Sequence, residues 1–362
     1  MENLKAAFLS EWWDNPYMTL LIDYLNLKGV KVGRYQWRGI IFLPQVIRQG
    51  KPDILHLHTL HRFLLGRYEI TRLIKLLIFS VQLLILRLIG TKIIWTVHEW
   101  NDKFRDGVQT ISKTHAVILG KLLDVVITHC DSTKREVDEV FRLEQKNKLF
   151  VVPHVNFIDY YENKINPIEA RKALNIETEN IVFLIFGSQY RYKGILEAID
   201  AFKKLQKDKI SLIIAGNPYE GLKEPIEKKI SGCKNIIFVP KKILDDEVQI
   251  YMNACDWVVI PYRVFTTSGV AVLAMSFERA CIAPDAGFFS DVLDESGAIL
   301  YDSIQEDSLL NAMKQAIEKR NNVLQMGKHN LKLAEQWNWK YVGEETFNFY
   351  QKSNESLKIK IF

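Results

Sequence analysis

Short apolar runs rich in Val, Ile and Leu recur along the chain, and between them apolar positions return every three or four residues. The first pattern suits strands buried on both faces, the second amphipathic helices. Strands are predicted at 6–9, 54–58, 92–97, 125–128 and 149–152, and again at 181–186, 211–215, 236–239, 258–260 and 281–283. Helices are predicted at 18–27, 195–205, 270–277, 309–319 and 337–350, and at 245–254 with Asp245 as the cap. Residues 156–167 follow neither period and read as a linker. Strand–helix alternation on either side of a linker predicts an α/β chain of two parallel-sheet domains.

In such sheets ligands sit beyond the carboxyl ends of the strands. Loops at those ends carry Asp14, Asn15 and Tyr17, then His98 and Glu99, residues 187–194, Gly216, and Thr267, Ser268 and Gly269. Facing loops from two domains would form a cleft. The stretch 258–283 reads strand, small-residue turn, helix, strand. Its turn sets hydroxyls and a side-chain-free backbone at a helix start, where unpaired amides and the helix dipole favour an anion. Ser268 acting as an ordinary N-cap is the plainer reading. Upstream, Gly187 lets the backbone approach a ligand, while Arg191 and Lys193 bring two cations to a second helix entry. The spacing is neither GxGxxG nor a Walker A loop, which turns the reading from dinucleotides and ATP toward a diphosphate clamp.

Composition changes this picture little. At 362 residues, 48% hydrophobic and 25% charged, the chain suits two globular domains with their own cores. Four scattered cysteines, Cys130, Cys233, Cys255 and Cys281, form no ligand pattern and read as small buried residues in a reducing compartment. No signal peptide is read at the start, where Ser10 is followed at once by Glu11, Trp12, Trp13 and Asp14. The net charge of +5 is mild, and no nucleic-acid partner is expected. The segment from Arg72 to Lys92 has an uncharged interior, 76–86, too short to span a bilayer. It reads either as a buried core helix or as a peripheral membrane contact, bordered by Arg62, Arg67, Arg72, Lys75, Arg87 and Lys92. His56, His58 and His61 invite a zinc reading, but no carboxylate or cysteine completes a ligand set, and no metal is expected.

Several longer stretches carry a family resemblance. FGSQYRYKG (186–194), AGNPYE (215–220), DDEVQIYMNACDWVVIPYR (245–263) and TTSGVAVLAMSFERACIAP (266–284) occur in a familiar order. They resemble the nucleotide-binding half of GT-B glycosyltransferases, the group around glycosyltransferase family 4. DNPY (14–17), DILHLH (53–58), WTVHEW (95–100) and VVPHVNFID (151–159) fit the same bacterial subgroup, so the resemblance covers nearly the whole chain. It implies an α/β GT-B fold, with two Rossmann-like domains facing across a cleft. The acceptor domain would occupy 1–160 and the donor domain 161–335, and the C-terminal helix, 336–362, would cross back to the first domain.

The resemblance also implies a function. A sugar would pass from a UDP- or GDP-sugar to a saccharide or lipid-linked acceptor in bacterial surface polysaccharide or glycolipid synthesis, with no cofactor and no bound metal. The protein would work in the cytoplasm, at the inner face of the cell membrane. Donor binding falls to Gly187, Arg191, Lys193, Gly216, Val239, Thr267, Ser268, Gly269 and Val270, and acceptor binding to Asp14, Asn15 and Tyr17. His98 matches the family's histidine near the sugar. Glu99, Asp14 and Asp102 are candidate general bases, of which Glu99 is taken with His98 as catalytic. The sequence departs from the family where two glutamates spaced E-x7-E are common, since Phe265 and Leu273 stand there. Glu278 and Ala280 replace a common Gly and Pro, and Ser188 a common Arg. The missing glutamates keep open a catalytically silent nucleotide-sugar-binding subunit, and an epimerase of the same fold is a third reading.

Overall fold

The structure is a computed structural model that describes residues 4–11, 13, 15–36, 39–48, 50–60, 64–65, 68–100, 111–144, 147–219 and 221–358. Asp14, Asp102, His61, Arg62 and Arg67 therefore lie outside the described residues. The chain forms two compact units, Met1–Val155 with Asn338–Phe362, and Asn156–Trp337.

The first unit runs β1 (Lys5–Ser10), α1 (Pro16–Leu27), β2 (Lys31–Gln36), α2 (Leu43–Arg48), β3 (Ile54–Leu57) and α3 (Glu69–Leu88). It continues with β4 (Lys92–Thr96), α4 (Lys113–Leu122), β5 (Val125–Thr128), α5 (Asp131–Phe141) and β6 (Leu149–Val151). All six strands are parallel, in the order β2-β1-β3-β4-β5-β6. Side chains alternate across the sheet with the two-residue strand period. Ala7, Leu9, Leu55, Leu57, Ile93 and Trp95 pack with Phe79, Leu83 and Leu86 of α3. Ala6, Phe8, Ile54, Ile94 and Ile127 pack on the other face with Leu21 and Leu25 of α1 and Val342 and Tyr350 from the chain's last helix.

That last helix, Trp339–Lys358, belongs to the first unit although 182 residues of the second unit precede it. Tyr24 of α1 donates its hydroxyl to Glu344 at 2.7 Å, and Lys28 pairs with the same carboxylate at 2.6 Å. Asn15 caps α1 by accepting the Tyr17 amide at 3.0 Å, with Pro16 preset for the first helical position. The segment 72–92 falls mostly in α3, which carries two apolar stripes, and ends at the first residue of β4. Leu76, Phe79, Leu83 and Leu86 face the core, while Ile70, Leu73, Ile74, Leu77, Val81, Leu84, Ile85 and Leu88 are exposed. Gln82 locks the buried side: its Oε1 accepts the Phe42 and Leu43 amides, and its Nε2 donates to the carbonyls of Ile40 and Ile78. No helix among the described residues is long and apolar enough to cross a membrane.

The second unit runs α6 (Pro167–Ala173), β7 (Ile181–Phe186), α7 (Ile195–Lys204), β8 (Ile210–Ala215), α8 (Lys223–Ile230), β9 (Ile236–Val239) and α9 (Val248–Ala254). It closes with β10 (Trp257–Val259), α10 (Gly269–Ser276), β11 (Ala280–Pro284), α11 (Gly287–Val292), β12 (Ala298–Tyr301), α12 (Ser308–Glu318) and α13 (Val323–Glu335). Its parallel sheet has the order β12-β11-β10-β7-β8-β9, the strand order of a Rossmann half-and-half sheet. Asn156 and Phe157 already belong to this unit. Asn156 donates to the carbonyl of Ala334, and the Phe157 amide donates to Ser276 Oγ.

Three elements differ from expectation. β2 carries no apolar run because it is an edge strand, half-exposed along its length. α9 starts at Val248 and not at Asp245, whose carboxylate instead accepts the Tyr160 hydroxyl at 2.9 Å. Glu278 adopts φ +58 just past α10, and the Glu278 and Arg279 amides bond back to Met275 and Ala274. That left-handed helix stop is the conformation glycine takes most easily.

Candidate functional site

The strand order of the second unit reverses between β7 and β10, which puts the loops after these two strands side by side at the switch point. The loop after β7 is a single tight turn, Arg191–Lys193, that ends at Gly194 with φ +64. A Cβ at Gly194 would overlap the carbonyl oxygen of Pro261 just after β10, so the two loops touch backbone to backbone there. The Arg263 amide donates to Tyr192 O at 2.9 Å, and Lys193 Nζ lies 5.1 Å from the centre of the Tyr262 ring. This cation–π contact holds the ammonium without neutralising it.

The loop after β8 joins the same assembly. Gly216 has φ +148, and a Cβ there would overlap the carbonyl oxygen of Gly187. The Gly216 amide donates to Val239 at the end of β9, and Gln189 N donates to Asn217 O at 2.8 Å. Gly187 in turn sits against Val270 in the first turn of α10. Ser268 is that helix's N-cap, its Oγ accepting the Ala271 amide at 3.2 Å. Its hydroxyl is thus engaged by the protein, while the first-turn amides of Gly269 and Val270 have no acceptor among the described residues. Gly187, Arg191, Lys193, Gly216, Val239, Thr267, Ser268, Gly269 and Val270 all lie on the loops and strand ends at this edge of the sheet. Gln189, which the sequence reading passed over, is buried here with neither amide atom partnered among the described residues.

Phe265 and Leu273 are apolar in setting as well as in type. The Phe265 ring packs on Phe289 with centroids 4.6 Å apart, and Leu273 is buried.

In the first unit the order reverses between β1 and β3. Here the carboxyl edge is lined by histidines. Each of β3 to β6 is followed within three residues by one: His58, His98, His129 and His154. His56, within a residue of the end of β3, joins them. Tyr17, 2% exposed at the start of α1, is their common neighbour, with ring centroids 6.3, 4.9, 5.6 and 5.3 Å from His58, His98, His129 and His154. His56 is held on both sides, by the Tyr350 hydroxyl at 2.6 Å and Thr96 Oγ1 at 2.8 Å. His58 Nδ1 lies 3.3 Å from His98 Nε2.

Burial disfavours the charged imidazolium at all five positions, and neighbouring histidines add to it at His56, His58, His98 and His129. His56 and His129 are lowered to about 3 and His154 to about 4; for His129 the Val152 carbonyl partly opposes the fall. His58 and His98 are lowered well below the ordinary histidine value, by burial first and then by the other rings. His98 is half-buried, as is Glu99 beside it. The described residues hold no group of three or more His, Cys, Asp or Glu side chains able to bind a metal ion. His129 and His154 were missed in the sequence because the histidines were grouped by closeness in the chain and not by position after a strand.

Two parallel Rossmann-like sheets, the second with an anion-ready helix start at its switch point, define the class: this is the fold of the GT-B glycosyltransferases. Residues 167–333 match the family described as glycosyl transferases group 1. The chain is 24% identical over 320 residues to the GDP-mannose:glycolipid 4-beta-D-mannosyltransferase of Xanthomonas campestris pv. campestris, covering 83% of this chain and 79% of the relative. It is 29% identical over 180 residues to the lipopolysaccharide 1,2-N-acetylglucosaminetransferase of Salmonella typhimurium, 46% of this chain and 47% of the relative. Among solved structures, sucrose-phosphate synthase from Thermosynechococcus elongatus superposes with a TM-score of 0.76 at 14% identity, over 96% of this chain and 98% of that one. Anabaena HepE in complex with UDP superposes with a TM-score of 0.73 at 15% identity, over 96% of this chain and 100% of that one. The chain thus has the GT-B fold, and its second unit carries the match to the group 1 glycosyl transferases.

Proposed function

We propose that the protein transfers a hexose from a UDP- or GDP-sugar to a lipid-linked saccharide acceptor in the synthesis of a bacterial surface polysaccharide or glycolipid. The observation that carries the donor half is the second unit's switch point. Lys193 is positioned there without a carboxylate partner among the described residues, beside a capped helix start with two unspent amides. When the bond from the anomeric carbon to the diphosphate breaks and the acceptor oxygen takes its place, negative charge grows on the leaving diphosphate. Fixed cations and amides aimed at that charge stabilise the transition state more than the ground state. Arg191, exposed on the same turn, adds a second cation, and the Val239 backbone lies where a base would be read. His98 and Glu99 serve the sugar and acceptor side, with Asn15 and Tyr17 shaping the first loop.

Two features favour a lipid-linked acceptor. The two relatives above are named for glycolipid and lipopolysaccharide substrates. The exposed stripe of α3 gives the first unit an apolar face suited to lying on a bilayer, with Leu77 65% and Leu88 77% exposed. Arg87 is paired with Asp124 and Arg72 with Glu69, so the apolar side chains carry more of this contact than the basic ones.

The donor reading is tested by calorimetric titration of UDP, GDP, ADP, dTDP and NAD into the protein and into Lys193→Ala. One nucleoside diphosphate should bind, and the substitution should weaken it by about 10- to 100-fold, the loss of a charge-assisted contact. Binding of NAD alone would overturn the assignment.

A further inference from the structure

Buried carboxamides in this fold are hydrogen-bonded, with one exception at the candidate donor edge. Gln82, Asn156, Gln249, Asn253 and Asn330 are buried, and each makes two or more hydrogen bonds through its side-chain amide. Gln249 Oε1, for example, accepts the Lys164 and Ile165 amides while its Nε2 donates to the Asp246 carbonyl. Gln189 is 1% exposed, yet neither its Oε1 nor its Nε2 has a partner among the described residues. A lone indole N–H, as at Trp95 and Trp257, is one donor on a ring buried for its apolar faces. Gln189 instead buries a whole polar group, donor and acceptor together, on a short apolar stem.

The backbone of Gln189 is pinned while its amide is not. Its N–H donates to the Asn217 carbonyl at 2.8 Å and its carbonyl accepts the Tyr219 amide at 2.9 Å, so the loops after β7 and β8 are tied together at this residue. Gly187, two residues back, sits against Val270 in the first turn of α10, and Lys193 follows on the same loop. An apolar side chain would fill this place without the desolvation cost, so the unpaired amide stabilises nothing in the resting protein. Such a group calls for an explanation, and the candidate diphosphate site adjoins it.

We propose that Gln189 is a donor-binding residue: its carboxamide, unpaired in the resting loops, hydrogen-bonds a hydroxyl of the nucleotide-sugar's ribose or hexose once the donor has shifted those loops. A hydroxyl both donates and accepts, which suits an amide that offers both. Diphosphate oxygens only accept and would leave Oε1 alone, so they fall to Lys193 and the first-turn amides of α10. The amide is sealed from solvent, so the loops tied at Gln189 must move before it is reached. The bonds then formed supply the differential free energy that favours the shifted state. This role rests on the donor reading proposed above.

The test compares the full chain with Gln189→Met, an unbranched apolar replacement of nearly the same length, in thermal melts and in titrations with UDP, GDP, UDP-glucose, GDP-mannose and inorganic pyrophosphate. Without ligand the variant should melt about 2–4 °C higher, because a buried unpaired group is gone. If the ribose is the partner, the nucleoside diphosphate that binds the wild type should bind the variant about tenfold or more weakly. If the hexose is the partner, that loss should appear with the nucleotide-sugar alone. Pyrophosphate, which carries no sugar hydroxyl, should bind both proteins alike. A variant that melts no higher overturns the proposal, because the amide is then paired in the resting protein, by water or by a neighbour. An equal loss for pyrophosphate also overturns it, since it would mark a disturbed loop. If nothing in the nucleotide panel binds the wild type, the donor reading fails and the role of Gln189 fails with it. Nucleotide binding that the variant leaves unchanged removes the role of Gln189 alone.

Discussion

Acidification should unfold the first unit before the second, because the first unit keeps its histidines neutral. The four most buried, His56, His58, His129 and His154, all have folded-state values well below the usual 6.5. In the unfolded chain the same rings take protons near pH 6.5. Between those limits the unfolded state binds more protons, so stability rises with pH and is lost as pH falls. The loss begins near pH 6.5 and continues toward the folded values, about 3 for His56 and His129 and about 4 for His154. At pH 5.5 each ring costs about 1.4 kcal/mol, and the four together about 6 kcal/mol, against a typical domain stability of 5–15 kcal/mol. The second unit has one histidine, His329, which lies 2.8 Å from Asp294 and belongs to no such cluster of buried rings. Hydrogen exchange read by mass spectrometry at pH 7.5 and 5.5 separates the units. Protection in β3, β4 and β5 should fall steeply while that in β7 and β8 holds. Replacing one ring, as in His56→Gln, should flatten the stability–pH slope, since one of the rings that the unfolded chain protonates is then gone. Equal protection of the first unit at the two pH values would refute the reasoning.

Two further outcomes follow from particular contacts. Gly216→Ala places a methyl on the Gly187 carbonyl in a backbone conformation that side chains resist, so it should destabilise the protein by about 2 kcal/mol or more in urea melts and weaken nucleotide binding; a stable variant with unchanged binding would contradict the close loop packing. Leu77→Asp combined with Leu84→Asp touches only the exposed stripe of α3, so co-sedimentation with anionic lipid vesicles should be lost while the melting temperature stays; undiminished vesicle binding would remove the membrane contact.

What could be read ahead of the structure depended on how local the cause was. Strands such as β7 and β8 are buried on both faces, so their apolar runs announce them, whereas β2 at the sheet edge has no such run. The apolar character of α3 was plain, but only packing tells that Leu83 meets the core and Leu84 does not. Gly187 was legible as a place for close approach, yet that Gly216 is what approaches it is a fact of two neighbouring strand ends. The histidines show the same limit. His56, His58 and His61 look like a group along the chain, but the parallel sheet instead brings together the residues that follow β3, β4, β5 and β6. In a parallel sheet the positions just past the strands are neighbours in space however far apart in sequence, and a residue type repeated there is a signal that periodicity within one element does not contain. Applied to the second unit, the same rule gathers Gly187, Gly216, Val239 and the turn before α10 into one edge. The carboxyl edge of each sheet thus gathers residues far apart in sequence: imidazoles kept neutral by burial in the first unit, and in the second a lysine beside a capped helix start.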